Sequence, residues 1–260
     1  MRPQIMGVVN VTPDSFSDGG HFFDHEAAVA HGLGLVAEGA HIIDVGGEST
    51  RPGAEPVPVE EELRRVIPVV TALAPNVRVS IDTRNAATAE AAIAAGATLV
   101  NDVSATLAPV AAAGGAGFVA MHMLGDPRTM QAEPRYADVV ADVTAFLVQR
   151  ADAAAAAGVR EVWIDPGIGF GKTAEHNWSL LRHLGVLVAT GYPVVIGTSR
   201  KRFLGAAIAA SDGSPDPVVA ADDRVEGSVA TAVWAIMQGA QMVRVHDVRA
   251  TVHAATVVAR

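Results

Sequence analysis

Glu161-Val162-Trp163-Ile164-Asp165-Pro166-Gly167-Ile168-Gly169-Phe170-Gly171-Lys172-Thr173 holds, in one run, the unit from which the fold is read. Residues 161–164 form a short apolar run with the character of a buried strand, and residues 174–184 read as a helix. Between them Asp165 closes the strand, and Gly167, Gly169 and Gly171 alternate through the turn. That turn is poor design for stability. Glycine loses much backbone freedom on folding, and a carboxylate at the edge of an apolar core needs a partner. Such a stretch is either a ligand site or a plain glycine-rich strand-to-helix turn, and the rest of the chain decides between them. A phosphate-cradling P-loop is excluded, because its first glycine would fall at Pro166. The dinucleotide fingerprint also fails, since the glycines alternate strictly.

Outward from this unit, the same order recurs along the chain. Strand-like runs stand at 5–10, 42–45, 77–81, 98–100, 117–121, 162–164, 194–196 and 241–245. Helical segments stand at 26–38, 60–73, 86–95, 107–113, 136–157, 174–184, 201–210 and 224–237, with a last one ending at 258. Gly39, Gly96, Gly158, Gly191 and Gly239 punctuate helix ends before the next strand. No Asn-Gly or Asp-Gly turn joins adjacent strands, so a parallel sheet is expected. Eight βα units in 260 residues predict an α/β fold. The form expected is a single-domain (β/α)8 TIM barrel over residues 1–260, with long βα loops at its C-terminal face. A doubly wound open sheet is the alternative.

Composition narrows the functions. The chain carries 19 Lys+Arg against 28 Asp+Glu, a formal charge of −9. That argues against a nucleic-acid or anionic membrane surface as partner. The absence of cysteine excludes disulfides, thiolate zinc sites and cysteine nucleophiles, and accords with a cytoplasmic setting. No signal-peptide layout or bilayer-length apolar run is present.

The strand ends carry the chemistry. They present Asn10, Asp44, Asp82, Asn101 with Asp102, His122, Asp165, Ser199 with Lys201, and Arg244 with His246. Any one could be structural, but together around a barrel mouth they predict one cavity. Arg51, Lys201, Arg244 and His246 gather positive charge in an acidic chain, which suits a phosphate or pyrophosphate. Arg202 reads as a solvated helix residue. Asp82 and Asp165 suit a flat heterocycle with an amidine-like edge, and Asn101 can both donate and accept along another edge. Lys201 has the reach for a ring carbonyl or ring nitrogen, and Phe170 and Met121 offer apolar walls. Asn10 offers a neutral oxygen suited to Mg²⁺. A zinc motif is not formed, because His31 lies six residues after His25. His122, between two methionines, reads as structural or as a support behind the residues that touch the ligand. Lys172 reads as a loop or helix-start residue whose loss should matter little.

Several long motifs stand in order from Met6 onward: Met6 through Asn10 to Asp18, Asp44 through Glu48 to Gly53, Ser80-Ile81-Asp82-Thr83, Asn101-Asp102, Met121-His122-Met123, Asp165 through Phe170 to Lys172, Ser199-Arg200-Lys201 and Arg244-Val245-His246-Asp247. In this set the chain resembles the bacterial dihydropteroate synthases, a pterin-binding family. The resemblance implies condensation of 6-hydroxymethyl-7,8-dihydropterin diphosphate with p-aminobenzoate, releasing pyrophosphate. It implies that Asp82, Asn101, Asp165 and Lys201 hold the pterin. Asn10, with Mg²⁺, and Arg51, Arg244 and His246 would handle the pyrophosphate. Thr50, Pro52, Phe170 and Ser199 would border the p-aminobenzoate pocket, with Phe16 closing over it; Met121 and Gly197 complete the expected substrate contacts. Asp82, Asp165, Lys201, Arg51, Arg244 and His246 are the expected catalytic set, in a homodimer. Two departures are small. Val103 is a smaller aliphatic residue than the family often carries, and the last helix is short. Two rivals share the pterin positions: a methyltetrahydrofolate methyltransferase-like barrel and a non-catalytic pterin-binding paralogue.

Overall fold

The computed structural model describes residues 3–12, 25–49, 55–126, 128–214 and 216–258. Eight strands form one parallel sheet: β1 (Gln4–Asn10), β2 (Ile42–Gly46), β3 (Arg78–Asp82), β4 (Leu99–Asp102), β5 (Gly117–Met121), β6 (Val162–Asp165), β7 (Val195–Ile196) and β8 (Met242–Val245). Their order is β6-β5-β4-β3-β2-β1-β8-β7. A parallel bridge between Ile164 and Val194 joins the two ends, and Ile164 N–H donates to the Pro193 carbonyl at 3.0 Å. The sheet therefore closes into the expected (β/α)8 barrel rather than an open sheet. Strands covered on both faces need no polar alternation, which is why they read as continuous apolar runs.

Ten α-helices wrap the sheet among the described residues: α1 (His25–Ala37), α2 (Val59–Leu73), α3 (Ala86–Ala94), α4 (Ala108–Gly114), α5 (Val139–Ala156), α6 (Ala174–Arg182), α7 (Leu184–Val188), α8 (Arg202–Asp212), α9 (Val225–Met237) and α10 (Val248–Val258). Glycines 39, 96, 158, 191 and 239 all take positive φ, from 87° to 111°, as expected at helix ends. The segment expected to be helical from residue 136 starts three residues later. Asp138 caps it, accepting from Val140 N–H at 2.9 Å and Ala141 N–H at 3.1 Å. We expect Asp138→Ala to lower unfolding free energy by about 1 kcal/mol in urea titrations while activity stays unchanged. The helix read over 174–184 stops at Arg182, and His183 serves both as its end and as the start of α7.

Two apolar clusters result. The larger packs helices against the outer sheet face. The smaller, Met6, Ile42, Leu99, Val119, Trp163, Val195 and Met242, fills the barrel interior. These seven side chains come from seven strands, and they set the inward phase for everything above them. Among the described residues, no helix is long and apolar enough to cross a membrane.

Candidate active site

Successive strand residues point to opposite faces, so the inward phase repeats every second position. Two steps from Met6 lies Val8, and two more give Asn10. From Ile42 the series is Asp44 and Gly46. From Leu99 it is Asn101, from Val119 it is Met121, and from Trp163 it is Asp165. From Val195 it is Gly197 and then Ser199; from Met242 it is Arg244 and His246. On β3 the register pairs Asp44 with Ser80 and Gly46 with Asp82. The same count sends Asp102 and His122 outward. Asp102 is fully buried and accepts from the backbone N–H groups of Ser104, Thr106 and Leu107, so it shapes the β4–α4 loop.

Arg244 is the hub of the mouth. Its Nε donates to Asp44 Oδ2 at 2.6 Å, and a terminal nitrogen donates to Asp82 Oδ2 at 2.7 Å. Asn101 Nδ2 donates to the same Asp44 oxygen at 3.0 Å. Burial alone would weaken the charge on Arg244, but the carboxylates of Asp44 and Asp82 more than offset it and hold its proton above the ordinary range. Burial pushes the Asp82 carboxyl up to about 7, with Arg244 opposing and Asp44 adding to the shift. Asp44 stands among the strand-end residues in the sequence without an assigned role. Here it is the fully buried anchor of both Arg244 and Asn101.

On the opposite side, the β6–α6 turn presents Asp165 and Phe170. Asp165 Oδ1 accepts from Gly167 N–H at 2.7 Å. Burial raises the Asp165 carboxyl, while the nearby Lys201 charge lowers it. Lys201 Nζ donates to the Ile168 carbonyl and stands 4.8 Å from the Phe170 ring centre. Burial brings Lys201 down to about 8 against the pull of Asp165. The glycines let this turn lie on the end of β5. A Cβ at Gly167, whose φ is +62°, would sit 1.9 Å from the His122 carbonyl oxygen, and one at Gly171 would sit 2.4 Å from that of Leu124. Lys172 lies just before the helix cap, as the sequence implies, but it is 2% exposed rather than solvated.

The loops after β7 and β8 are latched side by side. Ser199 Oγ accepts the His246 N–H at 3.1 Å and lies 3.0 Å from His246 Nδ1. Arg200 pairs with Asp247 through two contacts of 2.6 and 3.1 Å. Arg200 has φ +58°, a conformation disfavoured for a side chain with a Cβ. Its N–H donates to Ser228 Oγ at 2.9 Å, and its carbonyl accepts from Arg224 at 2.7 Å. That backbone twist lets both Ser199 and Lys201 face the mouth. Arg202 is exposed on α8, as read from sequence.

The remaining expected residues divide in two. Asn10 is half-buried at the tip of β1, and its Oδ1 lies beside Gly46. Met121 is buried at the end of β5, with its Cγ beneath Gly167. Gly197 leaves room beside the Arg244 side chain, since a Cβ there would lie 3.7 Å from Arg244 Cβ. Thr50, Arg51, Pro52 and Phe16 lie outside the described residues. Of the sites expected, Asp82, Asn101, Asp165, Lys201 and Arg244 meet at one mouth, joined by hydrogen bonds or mutual electrostatic influence.

Paired acidic groups, an amide, a lysine and an arginine at the C-terminal mouth of a parallel barrel have the chemistry of an enzyme site suited to a flat, nitrogen-rich ring beside an anionic group. A pterin-binding enzyme model matches residues 6–246. The dihydropteroate synthase of Mycobacterium leprae (strain TN) is 50% identical over 98% of this chain and 92% of its own length. A Xanthomonas albilineans dihydropteroate synthase structure with 4-aminobenzoic acid superposes with a TM-score of 0.88 at 50% identity, covering 99% of this chain and 92% of that one. Another from the same organism, in complex with 7,8-dihydropteroate, gives 0.85 at 47% identity, covering 99% and 93%. The chain belongs to the pterin-binding enzymes and, among them, to the dihydropteroate synthase family.

Proposed function

We propose that this chain joins 6-hydroxymethyl-7,8-dihydropterin diphosphate to p-aminobenzoate, forming 7,8-dihydropteroate and pyrophosphate. One observation carries the reading: Asp82, Asn101, Asp165 and Lys201 face one mouth, and Arg244 of β8 reaches into it to pair with Asp44 and Asp82. Full-length similarity to dihydropteroate synthases supports it over a non-catalytic paralogue or a methyltransferase-like barrel.

The residue chemistry fits. Asp82 and Asp165 accept N–H groups from the amidine-like edge of the pterin, and Asn101 and Lys201 meet its other edges. Phe170 and Ser199 border the arylamine, a role the resemblance extends to Thr50 and Pro52. Arg244 and His246 serve the diphosphate, and the resemblance adds Arg51. The C–O bond to the diphosphate breaks, the electron pair leaves with pyrophosphate, and the arylamine nitrogen forms the new C–N bond and sheds a proton. A neutral arylamine needs no strong base, so stabilising the leaving group is the main demand. Asp82 and Asp165 would also stabilise a pterin cation if bond breaking runs ahead of bond making. Scrambling of the bridging oxygen isotope without p-aminobenzoate tests that order of events; its absence, together with no pyrophosphate release, would count against it.

Mg²⁺ fits as a guest of the diphosphate. Asn10 supplies one neutral amide oxygen, and no cluster of three or more His, Cys, Asp or Glu forms a metal cage among the described residues. When bound, Mg²⁺ would neutralise the departing pyrophosphate. A homodimer is supported by apolar surface on α7 and α9, where Val186, Trp234 and Met237 are 47%, 46% and 67% exposed. Light scattering in solution tests it. We read the enzyme as cytoplasmic and as acting on small molecules, not on nucleic acid or membranes. The decisive experiment follows pyrophosphate and dihydropteroate together from both substrates; pyrophosphate release indifferent to p-aminobenzoate, with no dihydropteroate, would overturn the assignment.

Burial of Asp82 gives this reading a pH signature. Its proton is held more tightly in the folded chain, so this group favours folding at low pH and loses that contribution as pH rises to about 7. Pterin binding needs the carboxylate and runs the other way. Affinity for 6-hydroxymethylpterin, which lacks the titrating diphosphate, should rise as pH climbs from about 5 to about 7. Asp82→Asn should flatten this limb and weaken binding throughout, as calorimetric titration across pH would reveal.

A further inference from the structure

Lys172 has no task in the chemistry above, yet it is one of the most buried charged residues in the protein, at 2% exposure. Among the described residues it makes no salt bridge. Its Nζ instead meets His122 Nδ1 at 2.9 Å, the His122 carbonyl at 3.3 Å and the Phe170 carbonyl at 3.0 Å. Around it stand the Tyr136 ring, 6.0 Å from Nζ, and the His122 imidazole, which is packed edge-on against Phe146 at 4.9 Å. Burial, reinforced by the Lys172 charge, drives the imidazole down to about 3, so it is neutral and offers Nδ1 as an acceptor. A lysine in this setting is costly to desolvate unless all its donors are used, and here three acceptors surround it.

Its position relative to the site is specific. The β6–α6 turn is tethered along its length: Gln131 donates to the Gly169 carbonyl at 2.7 Å, and Tyr136 donates to the Gly171 carbonyl at 2.8 Å. Lys172 takes the carbonyl between them, that of Phe170, and ties it to the exit of β5. The front of the same residue faces the mouth, where the Phe170 ring lies under Lys201 Nζ at 4.8 Å. One lysine therefore holds Phe170 from behind, and the other meets it from the substrate side.

We propose that Lys172 is a positioning residue for the arylamine pocket: by fastening the Phe170 carbonyl to His122, it fixes where the Phe170 ring stands against Lys201. This inference rests on the reading of Phe170 as a wall of the p-aminobenzoate site. Loss of the tether leaves the carboxylates and Asn101 in place and removes only the weaker pull of the Lys172 charge on Asp165, so the larger effect should fall on p-aminobenzoate.

Steady-state kinetics of Phe170→Ala, Lys172→Met and the double variant, with KM measured for each substrate, test this. Lys172→Met should raise the p-aminobenzoate KM about tenfold and the pterin diphosphate KM by no more than about threefold, the small share that its charge contributes at Asp165. The double variant should be no worse than Phe170→Ala alone, because both act through one ring. If Phe170→Ala raises the p-aminobenzoate KM but Lys172→Met does not, the Lys172 inference is overturned while the wall reading stands. It is equally overturned if the two effects multiply, or if both KM values rise to the same extent. If Phe170→Ala has no effect, the wall reading fails first. Should Lys172→Met not fold, Lys172→Gln, polar but too short to span both carbonyls, is judged by the same outcomes.

Discussion

Replacing Asp165 with Asn should lower kcat/KM for the pterin diphosphate about 10²–10³-fold, because a buried charged acceptor is lost opposite the ring N–H groups. The substitution is nearly isosteric. Asn Oδ1 can still accept the Gly167 N–H that Asp165 Oδ1 takes at 2.7 Å, so the glycine turn should keep its shape. What changes is the other side of the group, where an amide N–H₂ now faces donors. The neighbouring Lys201 also loses an opposite charge that supports its protonation. The p-aminobenzoate KM should move far less, and the melting temperature should hold or rise, since a desolvated carboxylate has been removed. A loss smaller than about threefold would show that the ring is held elsewhere.

Arg244→Met should cost about 3–5 kcal/mol of stability as well as nearly all activity. Asp44 is fully buried, and Arg244 and Asn101 are the donors on its Oδ2. Its other oxygen, Oδ1, has no protein partner. Removing the guanidinium leaves Asp44 and Asp82 facing one another across the barrel top. The loss should therefore depend on pH: smaller near pH 5, where protonation relieves the repulsion, and larger near pH 8. Adding Asp44→Asn should recover part of it. Urea titrations of the two variants at both pH values provide the comparison, and equal losses at both would remove unpaired charge as the cause.

The barrel was legible in sequence because its strands are short apolar runs covered on both faces, each ending in a polar residue and followed by a helix. Counting by twos from Leu99 separates Asn101 from Asp102, and counting from Val119 separates Met121 from His122. That phase is available in the sequence once an inward residue is known. Other features were not legible. Asp44 sits one inward step below the rim, where a carboxylate looks like any strand-end residue until Arg244, 200 positions away, closes on it. Lys172 follows three glycines in a loop, and local pattern says solvent. Its burial is imposed by Tyr136 and His122, which arrive from the preceding βα unit. The break at His183 has no proline or glycine of its own to announce it. Thr50, Arg51, Pro52 and Phe16 belong to the long loops, and their expected roles rest on resemblance.

The joint between β6 and β7 has a consequence for how the molecule breathes. Every other neighbouring pair of strands shares a ladder, whereas this pair meets through the single bridge Ile164 to Val194. Amide hydrogens of residues 194–196 should consequently exchange with deuterated solvent sooner than those of β1 or β2. Asp165 stands on one bank of this seam, and Ser199 and Lys201 on the other. A substrate pair gripped from both banks would act as a clasp, slowing exchange at the seam more than anywhere else in the sheet.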